Sequence, residues 1–209
     1  MKLGKPFSQA CENNKDPILQ VIHTVFDRPA TVWEIGSGTG QHACHFARSL
    51  PHIQWQPTDL EERLPGMRLW LEEAQLANIR PPLSLNVADS EWPCRTIEAV
   101  FTANTLHIMS WEKVGLFFQG LSTRLIQSAP VCIYGPFNYR GAYTSDSNAR
   151  FDRWLKENDP ASGIRDFEAV ARLAWQSGLT LIDDVAMPAN NRLLIFRKTG
   201  MAELPDAPL

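Results

Sequence analysis

The residues Val32-Trp33-Glu34-Ile35-Gly36-Ser37-Gly38-Thr39-Gly40 run a short apolar strand into three glycines at alternating positions and on into a helical pattern. Glycine lacks a Cβ, so such a loop turns with positive φ and lets a ligand lie against its backbone. The helix that follows offers unpaired N–H groups. The chemistry on offer is a cradle for a nucleotide or nucleoside. Glu34 adds a carboxylate at the carboxyl end of the strand, suited to a cation or a ligand hydroxyl. Asp59 closes the next apolar run, nineteen residues after Gly40, where a carboxylate can accept from both hydroxyls of a ribose. His107 follows a fourth apolar run and supplies the side chain best suited to moving a proton near neutral pH. His42 and His45 stand three apart after the loop, but no third ligand and no cysteine pair accompany them, so no metal site is expected.

Regular elements must hold these residues. Ile18, Leu19, Ile22, Val25 and Phe26 repeat at helical spacing, with Asp16-Pro17 as cap and first turn. After the glycine loop, Ala43, Phe46, Ala47 and Leu50 predict a helix, residues 53–58 a strand, and Met67, Leu69, Trp70, Leu71, Ala74 and Leu76 a long helical face. Strands are predicted over 83–87, 97–103 and 130–135, with a helix over 111–126 between the last two. Helices over 148–157 and 167–177 follow. Strands alternating with helices of this length imply parallel βαβ units with helices on both faces of the sheet. The C-terminus departs from the repeat. Residues 179–184 and 192–198 read as strands joined by a connection too short for a helical crossover, so they are expected to pair antiparallel. Trp33, Trp55, Trp70 and Trp175 are expected in the core, and Trp92 beside a bound base.

At 209 residues, with 44% hydrophobic and 21% charged side chains, the chain fits one globular domain with additions. These additions are an N-terminal helical lead-in over 1–30, a substrate-side insertion over 136–166 and a flexible tail over 200–209. A net charge of −3 leaves no basic field for a nucleic-acid partner. With polar residues up to Asp16 no signal peptide is expected, and no run nears the ~20 apolar residues of a membrane span. Cys11, Cys44, Cys94 and Cys132 are scattered and read as free thiols in a reducing cytoplasm. The expected partner is a small molecule, with a protein acceptor as the alternative, and the chain is expected to be a monomer or homodimer.

The glycine spacing separates two classes of ligand. A dinucleotide fingerprint places its third glycine three positions after the second. Here Gly40 comes two after Gly38, and Gln41 fills the dinucleotide position. The pattern Glu34-x-Gly36-x-Gly38-x-Gly40 instead resembles the first motif of class I S-adenosylmethionine-dependent methyltransferases. Asp59, the turn Asn86-Val87-Ala88-Asp89, and Asn104-Thr105-Leu106-His107 match later stations of that family in order. A closer resemblance runs through Phe7 to Ile18, Gly135-Pro136-Phe137-Asn138-Tyr139, Tyr143 to Asn148, Gly163-Ile164-Arg165-Asp166 and Met187-Pro188-Ala189-Asn190-Asn191. On these segments the chain resembles the DUF938 family, the methyltransferase-like protein 26 family, over nearly its whole length. The resemblance implies an α/β Rossmann-like fold with a seven-stranded, mostly parallel sheet of order 3-2-1-4-5-7-6, an antiparallel C-terminal hairpin and helices on both faces. It also implies S-adenosylmethionine as cofactor and S-adenosylhomocysteine as product. The cofactor residues so implied are Glu34, Gly36, Ser37, Gly38, Thr39, Gly40, Asp59, Leu60, Val87, Asp89, Asn104 and Leu106.

Methyl transfer asks mainly for in-line placement of an acceptor lone pair, and for a general base where the acceptor must lose a proton. His107 is the first catalytic candidate; its alternative role is packing or hydrogen bonding beside the cofactor. Tyr139 is the second. Tyr143, Asn148, Asn190 and Asn191 lie on loops that the fold brings to the same edge and suit a small polar acceptor, although amides also cap turns. Asn14 and Lys15 are placed to close over the cofactor's carboxylate end. The expected activity is methyl transfer to an unidentified small polar acceptor. The competing readings are a cofactor-binding partner protein without catalysis and an NAD-dependent oxidoreductase.

Overall fold

In the computed structural model, which describes residues 4–200, the chain becomes regular at Ser8. The Ser8 hydroxyl accepts the Cys11 amide at 3.3 Å and caps helix α1 (Gln9–Val25). The helix therefore starts well before the predicted Asp16-Pro17 turn. A serine cap outweighs a polar run of ordinary helix formers, and Pro17 sits inside the helix rather than at its start. There follow β1 (Ala30–Ile35), α2 (Gln41–Ser49), β2 (Ile53–Asp59), α3 (Leu64–Ala74), β3 (Leu83–Ser84), β4 (Ala99–Ala103), α4 (Trp111–Arg124) and β5 (Pro130–Gly135). Next come β6 (Phe137–Asn138), α5 (Asp146–Asn158), β7 (Arg165–Asp166), α6 (Phe167–Gln176), β8 (Leu179–Met187) and β9 (Asn191–Lys198).

Seven strands form one sheet in the order β3-β2-β1-β4-β5-β9-β8. This is the predicted 3-2-1-4-5-7-6 arrangement once the two-residue strands β6 and β7, which pair only with each other, are left out of the count. Strands β1 to β5 pair in parallel, while β9 runs antiparallel to both β5 and β8. Both faces of the sheet are buried, which is why its central strands read as apolar runs rather than alternating ones. Along β4, Ala99 and Phe101 pack with Ile18, Ile22, Phe46 and Trp55 on the face covered by α1 and α2. Val100, between them, packs with Phe117, Leu121 and Ala174 on the face covered by α4 and α6.

Several boundaries differ from the sequence expectation. The third strand stops at Ser84, because after the Leu85 amide bonds Asp59 O at 2.9 Å the chain turns away through Asn86. The Asn86 side chain accepts the Ala88 amide at 3.1 Å, a local turn that outcompetes strand pairing. The hairpin strand β8 runs to Met187, past the predicted Asp184. Trp33 and Trp55 are in the core, but Trp70 is half-buried, its Nε1 donating to Pro6 O at 2.6 Å, and Trp175 is exposed. Trp92 is buried in the core. It packs so closely on α4 that a Cβ added at Gly120 would come within 2.2 Å of its ring. The four cysteines are free. Among the described residues no helix is long and apolar enough to cross a membrane, and no cluster of side chains suits a metal ion. The predicted tail over 200–209 lies, beyond Gly200, outside the described residues.

Candidate cofactor and acceptor site

The carboxyl end of β1 breaks into the glycine loop because two successive amides, of Gly36 and Ser37, both donate to Thr58 O on β2, at 3.0 and 2.9 Å. Gly36, Gly38 and Gly40 all take positive φ. Two of these positions explain the sequence pattern. At Gly36 a Cβ would stand 2.7 Å from the Thr105 hydroxyl, so glycine lets β1 and the segment after β4 approach. At Gly38 a Cβ would meet nothing within 4 Å, because that residue faces an open cleft. Asp59, at the end of β2, accepts the Gly38 amide through Oδ2 and the Leu60 amide through Oδ1, both at 2.7 Å. Burial pushes the Asp59 carboxyl above its ordinary pKa against the pull of those two amides.

The cleft runs over the carboxyl ends of the parallel strands, where open α/β sheets bind ligands, and has a volume of about 930 Å3. That lies toward the top of the roughly 300–1,000 Å3 usual for small-molecule sites. Gly36, Ser37, Gly38 and Thr39 form its floor, with Asp59, Leu60, Leu85, Asn86 and Val87 along one side and Asn104, Thr105 and His107 after β4. Helix α1 closes the opposite side with Cys11, Asn14 and Pro17. Tyr134 and Pro136 at the end of β5, Asn148, Phe151 and Trp154 of α5, and Asn191 complete the wall.

Some predicted residues lie elsewhere. Glu34 sits beneath the loop, 1% exposed, with Oε2 accepting Trp55 Nε1 at 2.7 Å. Burial, and to a smaller degree the nearby Asp59 charge, raises its pKa to about 8. Glu34 is thus a neutral acid at pH 7 that supports the loop from below. Gly40 packs under α3, where a Cβ would lie 2.9 Å from Met67. Leu106 is buried against the core, and Asp89 is exposed outside the cleft. Lys15 pairs with Glu12. Tyr139 is not in the cleft wall: its ring stacks on Phe167 at 5.0 Å and its hydroxyl donates to Asp184 Oδ2 at 2.6 Å. Burial and that carboxylate push its phenol pKa upward. Tyr143 donates to Asp152 at 2.7 Å, outside the lining, and Asn190 offers its backbone carbonyl to Asn148 Nδ2 at 3.2 Å.

The structure also brings in residues that sequence reasoning passed over. Gln41, read only as a non-glycine, latches α1 to the loop. Its Oε1 accepts the Ser8 amide at 2.6 Å, and its Nε2 donates to Ser8 O at 3.3 Å and Glu12 Oε1 at 2.7 Å. His42, set aside above as a metal ligand, is buried at the cleft, and burial lowers its pKa to about 4. It is therefore neutral, and because Asn14 Oδ1 can only accept, its Nε2 donates there at 2.7 Å, while Nδ1 faces Cys11 Sγ at 3.8 Å. Phe151 was legible in principle, since it follows Asn148 by three residues and so shares its helix face.

His107 is 5% exposed, with its ring edge-on to Phe151 at 5.3 Å. Burial, then the Arg165 guanidinium, lowers its pKa to about 4, and among the described residues its ring has no hydrogen-bond partner. The 136–166 segment holds this residue by the backbone. The Gly163 amide donates to His107 O at 2.9 Å, and Arg165 donates to Leu106 O at 3.1 Å and to Met109 O. Asp152 anchors that segment in turn, accepting the Ile164 amide at 2.7 Å and Lys156 Nζ at 2.6 Å.

Solved structures with this architecture include an O-methyltransferase family protein from Burkholderia thailandensis (TM-score 0.80, 17% identity, 91% of this chain and 58% of that one). Mitomycin 7-O-methyltransferase MmcR is similar over 91% of this chain and 54% of its own (TM-score 0.78, 14% identity). PigF, solved with S-adenosylhomocysteine, matches 90% of this chain and 56% of its own (TM-score 0.75, 12% identity). The chain spans a little over half the length of these proteins. The likeness establishes the fold as the Rossmann-like class I methyltransferase fold. The family model described as "Protein of unknown function (DUF938)" matches residues 5–198, nearly every residue in the fold, and the chain belongs to that family.

Proposed function

We propose that the chain is an S-adenosylmethionine-dependent methyltransferase acting on a small polar acceptor. The observation that carries this reading is one continuous cleft: a glycine floor with a carboxylate beside it, leading directly to a neutral, amide-lined wall around His107. The open backbone at Gly38 and the Asp59 carboxylate fit a nucleoside cofactor with its ribose at the end of β2. Leu60 and Val87 would flank the base, and Ser37, Thr39 and Asn104 would face the methionine portion. When bound, that cofactor supplies a methyl group activated on a sulfonium. The chain's own residues must then orient an acceptor and take up its proton. His107 is unprotonated at pH 7, so its lone pair is available to accept the hydrogen of a hydroxyl or thiol acceptor. Asn14, Asn148 and Asn191 line the same space and would hold the acceptor through hydrogen bonds without charge.

Calorimetric titration with S-adenosylhomocysteine and, separately, NADH tests the cofactor. The expected result is saturable binding of the first and none of the second; NADH binding alone would end the reading. Once an acceptor is in hand from a labelled-methyl screen, His107→Ala should abolish most turnover at unchanged S-adenosylhomocysteine affinity. The acid limb of kcat/KM for the unmodified chain should lie near pH 4, where His107 becomes charged. Turnover that survives the substitution removes His107 as base.

A further inference from the structure

The acceptor end of the cleft carries a specific chemical signature. Phe151 and Trp154, one turn apart on α5, both line it, and their rings stack at 5.9 Å with 13° between planes. Phe151 meets His107 edge-on, and Trp154 is 55% exposed, so an aromatic shelf leads from the mouth to the imidazole. The amide beside it has a fixed polarity. Asn148 commits its NH2 to Thr144 Oγ1 at 2.9 Å and Asn190 O at 3.2 Å, which leaves its carbonyl oxygen without a protein partner among the described residues. Asn148 is 5% exposed, so that oxygen is costly to leave unmatched once water is displaced. His107 is a neutral acceptor as well. Charge is sparse: of the residues lining the cleft only Asp59, Arg63 and Lys113 are charged, and Asp59 lies at the glycine loop. The buried carboxylate of α5, Asp152, is 1% exposed and already bound to Lys156, Tyr143 and the Ile164 amide. A cationic acceptor would be desolvated here with no counter-charge.

Resting on the methyltransferase reading, we infer that the acceptor is an uncharged aromatic molecule bearing a hydroxyl. Its ring lies against the Phe151–Trp154 shelf, and its O–H is offered to the Asn148 carbonyl oxygen and the His107 imidazole.

The test titrates the full chain, saturated with S-adenosylhomocysteine, with four probes of similar size: 4-methylphenol, benzylammonium, benzoate and cyclohexanol, followed by ligand-observed NMR. The phenol should bind about tenfold tighter than benzylammonium, which would leave water without a counter-charge, and tighter than benzoate, which has no proton to offer the Asn148 carbonyl oxygen. It should bind about three- to tenfold tighter than cyclohexanol, which lacks a π face. Phe151→Leu should remove the advantage over cyclohexanol, and Asn148→Asp should reverse the preference toward benzylammonium, each at unchanged S-adenosylhomocysteine affinity. Tighter binding of benzylammonium or benzoate to the unmodified chain overturns the assignment, as does failure of the phenol to bind. If S-adenosylhomocysteine itself does not bind, the methyltransferase reading falls and this inference with it. Normal S-adenosylhomocysteine binding without a phenol preference overturns the acceptor class alone.

Discussion

Asp59 holds the loop and, in the proposed function, the ligand. Each of its oxygens accepts one backbone amide, from Gly38 and from Leu60, and each keeps a further lone pair for a hydroxyl. Asp59→Ala should weaken S-adenosylhomocysteine binding by roughly 1–3 kcal/mol, the cost of unpaired hydrogen-bonding groups. An unchanged calorimetric affinity would take Asp59 out of the site. Its place in the cleft was legible because it ends the second parallel strand, at the sheet edge where the cleft opens. Glu34 was legible only as a residue type. Its sequence position next to the glycines suggests a ligand contact, yet strand alternation turns its side chain to the Trp55 side, under the loop. Tyr139 shows the same limit: a phenol on a loop was visible, but its pairing with Asp184, forty-five residues away, was not.

At the scale of elements, the cleft depends on α1, whose polar first half is its fourth wall. Gln41 is the joint, since one side chain bonds Ser8 at both backbone groups and Glu12 at its carboxylate. Gln41→Ala should leave the sheet intact while amide exchange in residues 11–15 accelerates, and S-adenosylhomocysteine affinity should fall by about 1 kcal/mol or more. Exchange rates in α1 equal to those of the unmodified chain would show that the latch does not hold it. The sequence reading began α1 too late because Glu12, Asn13 and Asn14 have no apolar stripe. Helical periodicity detects a face buried against the core, whereas this turn faces a cleft and a polar latch. The strands were clearer, since burial on both faces leaves them apolar throughout, and the short link before β9 admits only an antiparallel partner.

For the whole molecule, burial of ionisable groups under and around the cleft links stability to pH. The Glu34 carboxyl has a pKa of about 8 in the folded chain against an ordinary 4.5, so the native state holds a proton that the unfolded state has lost between those values. Its contribution is full below about 4.5 and declines as pH rises toward about 8, by at most about 1.4 kcal/mol per pH unit. Buried His42 and His107 act in the opposite sense: their pKa values drop from 6.5 to about 4, so stability they contribute above 6.5 is lost as pH falls through that window. Denaturant unfolding at a series of pH values should show Glu34→Gln gaining on the unmodified chain from pH 5 to 8, with the acid-side loss unchanged. A constant difference would mean that Glu34 is ionised in the fold.

The sequence by itself determined the fold class, the strand order through the family pattern, and the glycine cradle. These follow from local spacing, backbone freedom and connection length, which are properties of neighbouring residues. Only the tertiary structure decided which polar side chains share a cleft. It placed Asn14, His107, Asn148 and Asn191 together with Phe151, turned Glu34 beneath the loop, and drew Tyr139 and Trp92 into packing elsewhere. A side chain's direction and partners are set by contacts between segments distant in the chain, and no spacing along one segment encodes them.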